Sequence, residues 1–296
     1  MEKLAFIGLG IMGKPMAKNL LKKGYALSVY DIIPAGVEEL KAAGAKGCAS
    51  IAEAVADAEV IVTMLPNSPQ VLEVVLGENG ILNAAKPGTV ILDTSSIAPK
   101  ASQTVAAACA PKGVIYLDCP VSGGEPKAID GTLAIMCGGD EKVFDRIKPI
   151  LLSMAASAVL VGDVGSGNVA KLANQIMVAV NIAGMSEALT LAVKAGVDPK
   201  RVYEAVRGGL AGSTVLDAKA PMVLNRNFKP GFRIDLHIKD LKNVMETAHE
   251  TDAPSPLSAL ILEMMHALKA DGHDKCDHDA LALYYEKLAN TEIKPF

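Results

Sequence analysis

A lysine set among apolar side chains and carboxamides on one helix is equipped for proton transfer, and this chain carries one directly after a glycine-rich loop. The stretch is Gly165-Ser166-Gly167-Asn168-Val169-Ala170-Lys171-Leu172-Ala173-Asn174-Gln175. Lys171, Asn174 and Gln175 share one face of a helix by their i, i+3, i+4 spacing. An ammonium there can protonate a developing alkoxide, and the neutral amine can take the proton back. A lysine in a first turn also opposes the helix dipole, which favours a chemical over a structural reason for it. A solvated face near a helix start uses the same residue types, so both readings stand at this level. A P-loop is excluded, because no Gly-Lys-Ser/Thr follows the glycines.

Two further stretches offer complementary chemistry. Gly8-Leu9-Gly10-Ile11-Met12-Gly13 leaves an apolar strand run and opens a helix. Gly8 permits a tight turn, Gly10 lets backbone approach a pyrophosphate, and Gly13 allows close helix-sheet packing. The free N–H groups and positive dipole at the helix start then favour phosphate. Asp31, at the end of the next strand run, is placed to hydrogen-bond ribose hydroxyls and to repel a 2′-phosphate, with no Arg in Ile32-Ile33-Pro34 to offset it. That predicts NAD(H) rather than NADP(H). Alternatively, Asp31 caps the helix that begins near Pro34. The second stretch, Asp118-Cys119-Pro120-Val121-Ser122-Gly123-Gly124, also leaves the end of a strand run. Ser122, Gly123 and Gly124 can offer a hydroxyl and unobstructed N–H groups to a carboxylate, although a plain Gly-rich turn fits the same residues.

Weaker candidates lie in the second half. Phe228-Lys229-Pro230-Gly231-Phe232-Arg233 precedes Asp235, Lys239 and Asp240, and an i, i+4 pair between Asp235 and Lys239 explains that lysine locally. His273-Asp274-Lys275-Cys276-Asp277-His278 has metal-binding residue types without zinc spacing, and reads as a solvated loop before the last helix, so no metal is expected. There is no G-x-S-x-G elbow of a serine hydrolase.

The elements that must carry these residues alternate in type. Leu4–Gly8, Leu27–Tyr30, Val60–Leu65, Val90–Asp93 and Val114–Asp118 are continuous apolar runs, as in strands buried on both faces of a parallel sheet. Helix-like segments separate them, one opened by the capping-box pair Ser50 and Glu53, and strand candidates at Leu133–Cys137 and Ala158–Val161 close the series. After Gly162 one long helix is predicted over Asn168–Ala195, followed by helices only. The expected fold is α/β: a Rossmann-like doubly wound sheet domain over residues 1–162, joined by a long helix to an all-α domain over 163–296. With 296 residues, half of them hydrophobic, the chain can build large cores without staples. The net charge of −4, the absence of a basic block and 4% aromatics argue against nucleic acid. The apolar stretch Ile176–Ala192 contains Asn181, Ser186 and Glu187 and reads as a buried helix rather than a membrane span. Five cysteines without a C-x-x-C pair and an N-terminus without signal-peptide features predict reduced thiols and a cytoplasmic location.

In this order, these stretches resemble the β-hydroxyacid dehydrogenase family, which includes 3-hydroxyisobutyrate dehydrogenases and is related to 6-phosphogluconate dehydrogenase. The resemblance covers essentially the whole chain: Phe6–Met16 matches the family's cofactor signature, Asp118–Gly124 its substrate signature, Gly165–Asn174 its catalytic signature, and Lys239-Asp240-Leu241 its second cofactor motif. Met64–Pro69, Gly123–Ala128 and Gly208–Ser213 look most like its tartronate semialdehyde reductase branch. The resemblance implies an NADH-dependent reduction of tartronate semialdehyde to D-glycerate, with oxidation of 3-hydroxyisobutyrate or another β-hydroxyacid as the alternative. It further implies that Lys171 is catalytic with Asn174 assisting, and that Ser122, Gly123 and Gly124 bind a small carboxylate-bearing aldehyde or hydroxyacid. Gly8, Leu9, Gly10, Ile11, Met12, Gly13, Asp31, Leu65, Pro66, Asn67, Ser96 and Lys239 would contact the cofactor. Many relatives carry Asn where this chain has Gln175. The family also implies a homo-oligomer, a dimer or tetramer, built around the helical domain.

Overall fold

The sheet is built from strands so apolar that both faces must be covered. In the computed structural model, which describes residues 2–296, β1 (Leu4–Ile7) precedes α1 (Gly13–Lys22), β2 (Leu27–Tyr30) precedes α2 (Pro34–Ala42), and β3 (Lys46–Gly47) precedes α3 (Ile51–Val55). Then follow β4 (Val60–Thr63), α4 (Ser68–Leu76), β5 (Val90–Asp93), α5 (Pro99–Cys109) and β6 (Ile115–Asp118). These six strands are parallel in the order β3-β2-β1-β4-β5-β6, so the order reverses between β1 and β4. That is where open α/β sheets hold ligands, beyond the carboxyl ends of their strands. Residues along a strand alternate between faces. Phe6, Val29, Val62 and Leu92 join one core, while Ala5, Ile7, Ile61 and Ile91 join the core on the other face.

The sheet then changes direction. β7 (Val121–Ser122), α6 (Gly124–Asp130), β8 (Leu133–Gly138), α7 (Glu141–Leu151) and β9 (Ala155–Gly162) extend it, with β8 antiparallel to β6 and β7 but parallel to β9. The chain divides into two compact units, one ending at Lys171 and the other covering Leu172–Phe296. α8 (Ser166–Lys194) starts in the first and continues into the second; its 29 residues make it about 40 Å long. It is the one helix among the described residues with the length and apolarity to cross a bilayer, but Leu172, Ala179, Ile182 and Leu189 belong to the second unit's core. That unit is completed by α9 (Pro199–Val206), α10 (Thr214–Leu224), α11 (Ile234–Glu250), α12 (Pro256–Ala270) and α13 (Leu281–Ala289). Its only bridge among the described residues joins Arg233 and Asp277.

The loop expected to be solvated before the last helix is partly buried. Asp277, at 0% exposure, accepts bonds from the Gly231 and Phe232 N–H groups, at 2.8 and 3.0 Å, and from Lys219 Nζ at 2.7 Å. It thereby ties α10 and the Phe228–Arg233 turn to the base of α13, an ordering function invisible in the local sequence. Two residues on, both carboxyl oxygens of Asp279 are buried without a hydrogen-bond partner. Burial, with the neighbouring Asp277 charge, pushes this carboxyl up to about 8. A carboxyl whose folded pKa lies above its unfolded value stabilises fully below the unfolded pKa, and that stability is lost as pH rises through the folded one. The melting temperature should therefore fall by several degrees between pH 6 and 9. In Asp279→Asn most of this fall should vanish, with a higher melting temperature at pH 9; parallel curves for the two proteins would assign the pH dependence elsewhere.

Candidate active site

The turn after β1 is shaped by two glycines that the protein itself requires and a third that it does not. Gly8 has φ +96, and a Cβ there would lie 2.3 Å from the Met64 carbonyl oxygen, where β4 ends. A Cβ on Gly13 would lie 1.9 Å from the Gly8 carbonyl oxygen, so α1 could not dock against the turn. A Cβ on Gly10 would meet nothing within 4 Å. Internal packing does not account for Gly10, whereas backbone that must be approached by a pyrophosphate does. α1 begins at Gly13 with no side-chain cap and no acidic residue in its first turn, which leaves its positive end available to an anion. A groove of about 550 Å³ opens beside the turn, lined by Leu9, Gly10, Ile11, Lys14 and Glu125 among others.

Asp31 braces this turn. Its Oδ2 accepts the Leu9 N–H at 2.5 Å and its Oδ1 accepts the Ile33 N–H at 2.7 Å. The residue in the capping position of α2 is Ile33, so Asp31 closes a turn ahead of the helix instead of capping it. The carboxylate stays partly exposed beside Ile32 and Ile33, which are 84% and 64% exposed. These features fit a dinucleotide whose ribose faces a carboxylate.

Three more loops leave the same carboxyl edge of the sheet, each set by a buried polar residue whose bonds the sequence did not show. After β4, the Leu65 N–H donates to Ser95 Oγ at 2.8 Å, joining the Leu65-Pro66-Asn67 segment to the loop that holds Ser96. Asp93, fully buried at the end of β5, accepts from Thr63 Oγ1 at 2.8 Å, Ser95 N–H at 3.1 Å and Tyr116 Oη at 2.9 Å. Burial raises its pKa, opposed by the Ser95, Thr63 and Tyr116 bonds. After β6, Asp118 turns back from the Ser122 loop: its Oδ1 accepts the Gly165 N–H and its Oδ2 the Asn168 N–H, both at 2.7 Å. Burial pushes its carboxyl up to about 6 against these two bonds. Ser122 ends β7, paired with Ala134, and Gly123 follows with φ +142, a conformation that favours glycine.

Lys171 lies within the first two turns of α8 and is 6% exposed, so the solvated-face reading of this position does not hold. Further along the helix, in the second unit, Asn174 Nδ2 donates to Gln175 Oε1 at 2.7 Å, and Gln175 Nε2 donates to Asp240 Oδ2 at 2.5 Å. Lys239 pairs with Asp240 at 2.7 Å. The expected Asp235–Lys239 pair is not made: Asp235 is held by Arg233 at 2.9 Å and Lys275 at 2.8 Å. Buried Asp240 thus joins Lys239 to Gln175 and Asn174, and its being the one acidic side chain on the apolar face of α11 was the available signal. Among the described residues no cluster of His, Cys, Asp and Glu has the geometry of a metal site. All five cysteines are free thiols.

Comparison with known proteins agrees with this geometry. The profile of the NAD binding domain of 6-phosphogluconate dehydrogenase matches residues 3–162, and that of the NAD-binding region of NADP-dependent 3-hydroxyisobutyrate dehydrogenase matches residues 165–285. The chain is 43% identical to the 2-hydroxy-3-oxopropionate reductase of Escherichia coli over 291 residues, covering 98% of this chain and 99% of that one. It is 36% identical to the NAD-dependent L-serine dehydrogenase of Pseudomonas aeruginosa, over 97% and 98% of the two chains. The solved 3-hydroxyisobutyrate dehydrogenase of Mycobacterium tuberculosis with L-serine superimposes with a TM-score of 0.89 at 33% identity, over 96% and 98% of the chains. The chain therefore belongs to the β-hydroxyacid dehydrogenase family and is an oxidoreductase that acts on a CH–OH group with a nicotinamide dinucleotide.

Proposed function

We propose that the enzyme reduces tartronate semialdehyde to D-glycerate with NADH. The observation that carries the reading is Lys171, a buried lysine on the helix whose first turn is bonded to Asp118, the residue that opens the Ser122 loop. The 43% identity to a 2-hydroxy-3-oxopropionate reductase favours this substrate. When bound, the nicotinamide supplies the hydride. Ser122 Oγ and the N–H groups of Gly123 and Gly124 hold the substrate carboxylate, which fixes the orientation of the aldehyde. The Lys171 ammonium hydrogen-bonds the carbonyl oxygen and gives its proton to that oxygen as negative charge develops there; in the reverse direction the neutral amine removes the hydroxyl proton. Asn174 assists at the same substrate. Gly8 to Gly13, Asp31, Leu65 to Asn67, Ser96 and Lys239 hold the cofactor. The five free thiols fit a reducing cytoplasm, and the family resemblance supports a homo-oligomer built on the helical unit.

A second reading rests on the L-serine and 3-hydroxyisobutyrate relatives. Glycerate, serine and 3-hydroxyisobutyrate share a CH₂OH group one carbon from the carboxylate-bearing centre and differ only in the group on that centre: hydroxyl, ammonium or methyl. The carboxylate requirement is common to all three. Glyceraldehyde, which replaces the carboxylate of tartronate semialdehyde with CH₂OH, should react with kcat/KM at least 100-fold lower; equal rates would remove the carboxylate site from the mechanism.

Asp31 gives a separate expectation. Its carboxylate repels a 2′-phosphate, and Ile32, Ile33 and Pro34 offer no cation to compensate. kcat/KM should be at least tenfold higher with NADH than with NADPH. A tenfold preference for NADPH would overturn this role for Asp31.

A further inference from the structure

We propose that Asn168 is a positioning residue that sets the catalytic helix against the cofactor loops through a buried polar network. The inference rests on the reading above, in which Lys171 is the proton donor and the Leu65–Asn67 and Ser95–Ser96 segments hold the cofactor.

The network lies within the first unit. The Asn168 N–H donates to Asp118 Oδ2 at 2.7 Å. Its side-chain Oδ1 accepts the Ile97 N–H at 3.1 Å, and its Nδ2 donates to Ser102 Oγ at 3.1 Å. The Ser102 side chain neighbours the Tyr116 phenol, which it influences electrostatically. Tyr116 Oη donates to Asp93 Oδ2 at 2.9 Å, and Asp93 Oδ1 accepts from Thr63 and from the Ser95 N–H. Ser95 Oγ then accepts the Leu65 N–H. Thr63, Asp93, Ser95, Ser102, Asp118 and Asn168 are all 0% exposed, and Tyr116 is 4% exposed.

In a low-dielectric interior a satisfied network of this kind specifies one arrangement, because any shift strands a buried donor or acceptor. The network joins the carboxyl ends of β4, β5 and β6 to the first turn of α8, whose backbone is packed too tightly to slide freely. A Cβ on Gly167 would lie 2.5 Å from the Asp118 carbonyl oxygen and 2.7 Å from that of Met136. Translation is blocked by these contacts, and the Asn168 side chain fixes the rotation of the turn relative to Ile97, the neighbour of Ser96. Lys171 is three residues further along the same helix. A misplacement of about 1 Å at a reacting group can cost on the order of 10²-fold in rate.

Three proteins test this: Asn168→Ala, Tyr116→Phe and Lys171→Ala. Tyr116→Phe deletes only the hydroxyl in the middle of the network and keeps the test valid if Asn168→Ala does not fold. The expected kcat falls 10- to 100-fold in Asn168→Ala and three- to tenfold in Tyr116→Phe, with the NADH Kd, read by fluorescence titration, within threefold of wild type. The primary deuterium isotope effect with NADH deuterated at the transferring position should rise in both, because hydride transfer becomes slower relative to the other steps. In the cofactor-free Asn168→Ala protein, amide exchange at Ile97 should accelerate at least tenfold while β1 is unchanged. A role confined to stability would lower the active fraction and leave the isotope effect and the Ile97 exchange at their wild-type values, which would overturn the inference. So would wild-type kcat in Tyr116→Phe. If Lys171→Ala keeps more than a tenth of wild-type kcat, the underlying reading has failed; if Lys171→Ala is inactive while the other two variants are normal, the positioning network alone has failed.

Discussion

Replacing Lys171 with alanine is expected to lower kcat by about 10²–10⁴-fold, the span that positioned general acid–base groups contribute, while NADH binding persists. The substitution leaves the Gly8–Gly13 turn and the Asp31 brace untouched, so the cofactor affinity should stay within a few-fold. The side chain is 6% exposed, and alanine keeps the helix propensity of α8 at this position. The melting curve should therefore shift modestly, whereas a lysine that served only packing would show the reverse: a large loss of stability at nearly unchanged kcat. The decisive pair of numbers is kcat at saturating substrate and NADH, and the melting temperature of the same sample. Retention of more than a tenth of wild-type kcat would remove Lys171 from proton transfer.

The next largest effect is expected at Ser122, and in a different parameter. A hydrogen bond to a charged group contributes about 1.5–3 kcal/mol, so Ser122→Ala should raise the KM for tartronate semialdehyde by roughly 10- to 150-fold. NADH affinity should change little, because Ser122 belongs to the β7–α6 segment and not to the glycine turn after β1. The Gly123 and Gly124 N–H groups remain, which is why the loss is bounded. Steady-state KM and an NADH titration separate the outcomes. A weaker NADH Kd with unaltered KM would place Ser122 on the cofactor and not on the substrate.

The sheet was legible because its strands are written as largely apolar runs. Val90–Asp93 begins and ends where its run does, since residues buried on both faces leave no polar interruption before the terminal acid; Leu27–Tyr30 also keeps its bounds, although Ser28 interrupts it and one face is only half-buried. Three helices were not legible. α6 opens with Gly124-Glu125-Pro126, and α10 and α7 contain Pro221 and Pro149; glycine and proline at these places signal turns locally, while tertiary packing keeps the helices. α7 does carry a readable start, since Asp140 accepts the Val143 N–H. At the site, the residues with obvious spacing were legible as candidates: the glycine turn, Asp31, the Ser122 loop and Lys171. The residues that connect them were not. Asp118 is 47 residues from Gly165 and Asn168 is 71 residues from Ile97, and pairing across such distances has no local periodicity. Asp93 and Asp118 did leave a trace, as acids that end strands of otherwise Val, Ile and Leu character, where a buried carboxylate must be satisfied by something. The Asp235–Lys239 expectation failed for the opposite reason. The i, i+4 rule describes an isolated helix, and here Arg233 and Lys275 take Asp235 while Asp240, adjacent in sequence, takes Lys239.

The central claim is the reduction of a carboxylate-bearing semialdehyde by NADH, with the substrate set by the group on the carbon next to the carboxylate. It is tested most directly by NADH oxidation measured side by side with tartronate semialdehyde, methylmalonate semialdehyde, succinic semialdehyde and glyoxylate. The account predicts the highest kcat/KM with tartronate semialdehyde, with methylmalonate semialdehyde, which carries methyl in place of hydroxyl, at least tenfold lower. A tenfold advantage for methylmalonate semialdehyde would move the enzyme to the 3-hydroxyisobutyrate reading, and no turnover with any of the four would contradict the account itself.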